Sequence, residues 1–521
     1  MFGLKILILM VFVLSNSGHS PVHGARILAI FTLASPSHNI FNRVLSRALA
    51  SRGHEVTEIC PDVDKQPTPN RTTILIERAY DMLHSKYNYG KSPEKSTLEI
   101  IHKLTEIVEF YCELQLSSKG VKQLLNSQPG YKFDLIIVEA SLGGCLYGFI
   151  TKFGSPPVVV ISSHGMFPWL STLMGTPENP SYMPNYFLPY SSRMTFGERI
   201  HNYIIHSIFT FYYKYSIVSV QESVARKHFR ETLLPYLDIQ RNFSLLLANI
   251  AVGLDEPRPL SSNVIPVGGM HIKSRHEPLP QILQDFLDGA QGFIYFSLGV
   301  SIKGEMIDSE KLKLFVDAFS ELPLRILWKF ETNKMGDLPS NIRIEKWLPQ
   351  DAILAHPNIR MFITHCGRLS MLEAVYRGVP VVGIPLIMDQ PSNLKLILDR
   401  KGGVHLDYHT LSKESILQAV KKVLGNKSYA VNMKKLSTIF RDQADTALDR
   451  AVFWTEYVIR HKGAPHLRPA STELHWHQYL LLDVILVIVF ALVITFLITR
   501  CMLMSVIRRM KAVTLLRKKT N

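Results

Sequence analysis

Short apolar-rich runs recur along the chain in two series, and they constrain its fold more than any other feature. The first series is RILAIFTL (26–33), HEVTEI (54–59), FDLIIV (133–138) and PVVVIS (157–162). The second is GFIYFSL (292–298), LRILWKF (324–330), NIRIEKW (341–347), RMFIT (360–364) and PVVGIP (380–385). Runs of this kind, spaced by helical patterns, fit strands of parallel sheets covered on both faces. After the first run a helix is expected at about His38–Arg52. Ser37 suits its N-cap, Gly53 its C′ position, and Ile40, Phe41, Val44, Leu45, Ala48 and Leu49 form one apolar face. Strand, helix and strand with short joints make a βαβ unit. The stretch between 70 and 130 reads as mostly helical, and the Pro- and Gly-bearing segment Gly253–Pro280 reads as a linker. The expected class is α/β: two doubly wound, Rossmann-like domains, 25–252 and 281–440, facing across a cleft. Ligands in such sheets bind beyond the carboxyl ends of the strands. Residues 441–479 are expected to be helices returning toward a membrane.

Both ends read as targeting segments. Residues 2–14, FGLKILILMVFVL, run into a small-residue stretch with V-H-G at Val22–Gly24, the form of a cleaved signal peptide over 1–24. The alternative, a first membrane span, is disfavoured because the apolar core is short of about 20 residues. Leu480 to Thr499 holds 20 residues with one charge, Asp483, and no polar face, as a transmembrane helix does. Arg500, Arg508, Arg509, Lys511, Arg517, Lys518 and Lys519 follow it. Positive charge stays cytosolic, so 500–521 is expected inside and the bulk of the chain in the lumen, a single-pass type I arrangement. The terminal K-K-T-N resembles the dilysine signal of endoplasmic-reticulum membrane proteins, its alternative being a merely basic juxtamembrane tail. The sequons at Asn70, Asn242 and Asn426 agree with lumenal glycosylation. The formal net charge of +15 falls to +8 without that tail and then has no basic block, which argues against nucleic acid as a partner. Hydrophobic content of 47% with 19% charged residues excludes a disordered chain. Five cysteines are few for a disulfide scaffold, so the fold is expected to rest on its cores.

Residues 345–393 hold the densest chemistry. The run RMFIT ends in His365-Cys366-Gly367, and a helix is expected from near Leu369 to Gly378. A helix start just past a parallel strand offers free N–H groups and a positive dipole end, a place for a pyrophosphate. His365 and Ser370 at that mouth can donate to phosphate oxygens. Glu373, one turn on, can accept two hydrogen bonds from a ribose diol. From the residues alone, a capped structural helix with a surface glutamate remains the alternative.

FITHCGRLSMLEAVYRGVPVVGIPLIMDQ (362–390) resembles the signature of the UDP-glycosyltransferase superfamily. KWLPQDAILAHP (346–357) resembles the segment before it, and SLGVS (297–301) the donor-side glycine loop. LDRAVFWTEYVIRHKGAPHLR (448–468) is similar to the helices leading to the membrane span in animal, particularly insect, members. The resemblance covers the whole chain. It implies the two-domain GT-B fold and metal-independent, inverting hexose transfer from a UDP-sugar to small lipophilic acceptors bearing a hydroxyl. UDP-glucose is the first donor candidate and UDP-glucuronate the second. No cofactor is implied, since the UDP-sugar is a co-substrate. Homo- or hetero-oligomers are left open. By position, Trp347 would stack on uracil and Gln350 hydrogen-bond the uridine. Glu373 would grip the ribose, and Ser297, His365, Gly367 and Ser370 would surround the diphosphate. Asp389 and Gln390 would read sugar hydroxyls, with Asn393 nearby.

Inversion needs a base for the acceptor's proton, and histidine suits that role. His38, in PSHNIF (36–41), matches the family's catalytic histidine. Its carboxylate partner aligns with Glu139 where the family has aspartate. Insect-like members often carry an acid just before the cysteine, where this chain has Gly144. Cys366 replaces a smaller residue, and Val300 replaces a serine worth roughly 1 kcal/mol of phosphate hydrogen bonding. The acceptor pocket is expected from about 70–120 and 163–215. There Met166, Phe167, Trp169, Met174, Met183, Tyr186 and Phe187 read equally as pocket lining or as packing or membrane contact. Gly144 keeps a non-catalytic binding member open as the rival reading, and a transferase dedicated to one endogenous acceptor is another.

Overall fold

The computed structural model describes residues 24–64, 67–86, 97–128, 130–141, 143–230, 232–274, 278–289, 291–299, 307–331 and 337–519. The signal-peptide reading over 1–24 therefore lies, but for Gly24, outside the described residues, as do Val300 and the last two residues of K-K-T-N.

Strands β1 (Arg26–Ile30), β2 (Glu55–Cys60), β3 (Arg71–Leu75), β4 (Leu135–Glu139), β5 (Val158–Ser162), β6 (Leu245–Ala248) and β7 (Val264–Pro266) form one sheet in the order β3-β2-β1-β4-β5-β6-β7. All of its pairs are parallel. Strands β8 (Phe293–Ser297), β9 (Arg325–Lys329), β10 (Ile342–Glu345), β11 (Ile359–Thr364), β12 (Val381–Gly383) and β13 (Gly403–His405) form a second parallel sheet, ordered β10-β9-β8-β11-β12-β13. In each sheet the order reverses beside its first strand, between β1 and β4 and between β8 and β11. Those reversals open the crevices where ligands of doubly wound sheets bind.

The central strands β1, β4, β5 and β8 are buried throughout apart from Arg26 at the start of β1, as parallel strands sandwiched by helices must be. Four of the strands are not among the apolar runs. β3 falls in the stretch expected to be helical, and β7 falls in the expected linker, where it forms the edge of the first sheet. Arg71 enters β3 as a buried cation compensated by Glu58 and Asp64.

Helix α1 (Pro36–Ser51) is capped by Ser35 rather than the expected Ser37. Pro36 causes the shift: its fixed φ suits the first helical position, where its missing N–H costs nothing. Gly53 follows the helix at φ +93°, a left-handed conformation that glycine adopts without a Cβ penalty.

The helix Ala447–Arg460 returns to the first sheet. Ala451, Val452 and Val458 join the core around β1, and Glu456 takes Arg52 and His54. One covalent staple exists against expectation: Cys112, on the helix Thr97–Ser117, is bonded to Cys145. The three sequon asparagines are exposed.

Residues up to Arg468 form one compact unit and Pro469–Asn521 a second. In the second, the helix Leu482–Lys519 is long and apolar enough over Leu482–Leu516 to cross a membrane. It starts two residues after the expected Leu480 and runs through the basic tail instead of ending at Thr499.

Candidate active site

The two crevices approach each other where His164, just past β5, lies 4.0 Å from Asp389, and strand pairing explains which residues meet. Ile30 at the end of β1 pairs with Val138 of β4, so the residues just past these strands are neighbours despite a separation of about a hundred positions. His38 opens α1, and its Nδ1 is hydrogen-bonded to Glu139, the last residue of β4. Ser163, just past β5, places its hydroxyl 2.8 Å from the same nitrogen and donates toward Glu139 at 3.4 Å. A carboxylate on Nδ1 fixes the tautomer that leaves Nε2 with its lone pair. The imidazole is buried, only 5% exposed. Its neighbours are Glu139, Ser163 and His164, a polar lining of the kind a buried reactive group requires.

Gly144 has a structural reason. A Cβ there would lie 2.2 Å from the Gln221 carboxamide oxygen, so any side chain at this position requires the buried Gln221 to swing away.

On the other side, Thr364 ending β11 pairs with Ser297 ending β8. Helix α2 (Arg368–Arg377) follows, with Gly367 at its N-cap and no side chain capping its first N–H groups. Cys366 sits at φ +66° and Met388 at φ +57°. Left-handed non-glycine residues cost roughly 1–2 kcal/mol each and concentrate at sites that demand a particular backbone path. The conformation at Cys366 also explains why small residues, glycine first, suit that position. The His365 ring lies between Gly299 and Gly367: a Cβ on either would come within 2.5 Å of the ring. Burial pushes this imidazole down to about 4, so it meets a phosphate as a neutral hydrogen-bonding group. Gly299→Ala would add the strain of its φ of +80° to that overlap. UDP affinity is expected to fall about ten-fold or more in that variant by titration calorimetry, since ten-fold is only about 1.4 kcal/mol.

Gln350, expected to hydrogen-bond the uridine, is held here by its own neighbours. Its Nε2 donates to Ser370 (2.9 Å) and Glu373 (2.6 Å), and its Oε1 accepts from Tyr295 (3.3 Å). The side chain thus braces the phosphate and ribose candidates, and its contribution to a base would come from its backbone at the start of the helix Gln350–Leu354. Glu373 also lies 3.4 Å from the buried His271. Trp347 is 64% exposed, a free ring face beside this cluster. Gln390 spends its Oε1 on the Leu386 and Ile387 N–H groups, which leaves its amide donor. Asn393 donates to Asp389 (2.6 Å) and to the Cys366 carbonyl (3.0 Å), holding both in place.

Sequence reasoning missed four contributors. Lys329 ends β9 beside Ser297 and holds the Gly299 carbonyl at 2.8 Å. Arg368 ties the two halves together, donating to the Asn249 carbonyl at 2.9 Å and pairing with Asp255. Ser163 and His164 stand where His38 and Glu139 stand, just past a buried strand, and that position was the available signal. Of the aromatic and methionine residues of 163–215, Met166, Phe167, Trp169, Met174, Met183 and Phe187 are buried, which favours packing over an open lining. Among the described residues, no group of three or more His, Cys, Asp or Glu is arranged to hold a metal.

The profile of the family described as "UDP-glucoronosyl and UDP-glucosyl transferase" matches residues 26–515. "UDP-glucosyltransferase 2" of Dactylopius coccus is 38% identical over 93% of this chain and 92% of its own length. Human "UDP-glucuronosyltransferase 2B10" is 32% identical over 88% and 90%. Among solved structures, the glycosyltransferase VinC in complex with DTDP superposes with a TM-score of 0.55 at 16% identity, covering 84% of this chain and all of that one. The calicheamicin glycosyltransferase CalG4 does so at 0.52 and 17%, over 85% of this chain. These two share the GT-B fold.

Proposed function

The chain belongs to the UDP-glucuronosyl and UDP-glucosyl transferase family and is a glycosyltransferase acting on a UDP-sugar and an acceptor, and on that premise we propose that it transfers glucose, with inversion, to a hydroxyl of small lipophilic molecules. The observation that carries the proposal is the buried His38–Glu139 pair, which stands beside His164 and through it next to Asp389 of the donor-side cluster. In this reading His38 Nε2 takes the acceptor's proton while Glu139 stabilises the imidazolium. The oxygen so activated attacks the anomeric carbon, and the bond to the UDP oxygen breaks. The α2 start, His365, Ser370 and Ser297 take the diphosphate's developing charge, which makes a metal ion unnecessary. Asp389 and the Gln390 amide read hydroxyls of the sugar.

A neutral sugar is favoured over a uronate because a carboxylate would need a cation. Around Asp389, among the described residues, Arg368 is engaged by Asp255 and Asn249, and burial pushes His164 down to about 4. The first domain runs from 25 through β7 rather than ending at 252, a shortened linker follows to 280, and the second domain is 281–440. Lumenal placement in the endoplasmic reticulum, with the tail cytosolic, follows the positive charge after the membrane helix.

Microsomes holding the full chain, supplied with UDP-glucose or UDP-glucuronate and a diverse panel of phenols, test this reading. UDP release with several phenols and UDP-glucose is expected; release with UDP-glucuronate alone, or with no phenol, contradicts it. Trp347→Ala is expected to weaken UDP binding by about 1–3 kcal/mol, the worth of one base stacked on an aromatic ring, with little change in transfer at saturating donor.

A further inference from the structure

We propose that His164, held by the Tyr186 hydroxyl, is a positioning residue that fixes the plane of the His38 ring beside the carboxylate of Asp389. This deepens the reading above and rests on His38 being the base and Asp389 facing the sugar.

Three contacts carry it. The His164 ring meets the His38 ring edge-on, with centroids 4.4 Å apart and planes at 71°. Its Nδ1 is hydrogen-bonded to Tyr186 and lies 4.0 Å from Asp389 Oδ2. Tyr186 and Phe167 pack against the other parts of the ring at 5.3 and 5.6 Å, also edge-on. His164 thus has little freedom to turn, and it stands between the proposed base and the proposed sugar-reading residue.

Among the described residues, His38 is anchored at Nδ1, by Glu139 and Ser163. A ring held at one atom can still swing about that bond. The His164 contact removes the swing, so Nε2 keeps its direction. Asp389 is in turn braced by Asn393, which also holds the Cys366 carbonyl at the start of α2.

Neutrality at His164 matters as well. A second imidazolium here would oppose the one that forms on His38, and burial keeps this ring uncharged at neutral pH.

The test is kinetic, on the full chain in membranes, with His164→Ala, His164→Phe, Tyr186→Phe and the His164→Ala/Tyr186→Phe pair beside His38→Ala. A misplacement near 1 Å can cost roughly 100-fold in rate, so His164→Ala is expected to lower kcat toward that figure. His164→Phe keeps a flat ring but loses the Tyr186 bond, and Tyr186→Phe loses only the hydroxyl; each is expected to lower kcat less. UDP affinity stays unchanged in all of them, and the double variant is no slower than His164→Ala, because Tyr186 acts through His164. A kcat equal to wild type in His164→Ala, with His38→Ala inactive, overturns this inference and leaves the base reading intact. Parallel losses of kcat and UDP affinity show a merely structural role and also overturn it. Wild-type turnover in His38→Ala removes the base reading, and this inference with it.

Discussion

His38→Ala is expected to lower kcat by roughly 10²–10⁴-fold, the usual worth of a positioned general base, while UDP-sugar affinity is retained. The separation follows from the architecture. His38 stands on the β1 side of one sheet, whereas Trp347, Ser297, His365, Ser370 and Glu373 all belong to the other. Removing the imidazole takes nothing from the donor's binding groups. Glu139→Gln probes the second half of the pair. A carboxamide can still accept from Nδ1, so the tautomer survives, but the negative charge that stabilises the imidazolium is gone. Its kcat is expected to fall less than that of His38→Ala. Initial rates at saturating UDP-glucose, with UDP binding by calorimetry, check both. A Glu139→Gln variant as fast as wild type would show that another group orients the base.

Loss of the Cys112–Cys145 bond is expected to be the most destabilising change outside the site. The bond closes a loop spanning 33 positions, and chain-entropy arguments then give about 4 kcal/mol. Both cysteines are fully buried, so the Cys112→Ala/Cys145→Ala double variant also loses packing. For a chain with domains of this size the melting temperature should fall by roughly 10 °C. Activity should fall less than stability. The turn Gly143–Tyr147 lies just past Glu139, and Tyr236 still clamps it, donating to the Cys145 carbonyl at 2.9 Å and accepting from the Gly148 N–H at 3.1 Å. Scanning calorimetry of the detergent-solubilised protein measures the shift. A melting temperature within 2 °C of wild type, where roughly 10 °C is expected, would mean that the bond contributes little.

The parts legible from sequence share a physical trait: they are decided locally. Strands such as FDLIIV and PVVVIS are buried on both faces, so their apolar character is continuous and visible. The glycine-bounded turn from Thr364 into α2 carries its own pattern. What could not be read depends on partners far along the chain. The strands β3, β7 and β13 have three to five residues each, sit at or near sheet edges, and are strands because a neighbour offers a ladder. The Cys112–Cys145 bond joins a helix to a turn that no spacing rule pairs. Ser163 and His164 meet His38 because β5 lies beside β4, an order that the runs alone do not state. Gln350 was legible as a site residue, but not its direction, since Tyr295, Ser370 and Glu373 reach it from three separate elements.

The most direct measurement is the anomeric configuration of the glycoside formed from UDP-glucose, read by NMR on the product. One base and one leaving-group site on facing sides of the crevice allow a single displacement, so the α-linked donor should give a β-linked product. An α-linked product would mean retention, by two displacements or by attack from the leaving-group face, and would contradict a single in-line displacement with His38 as base.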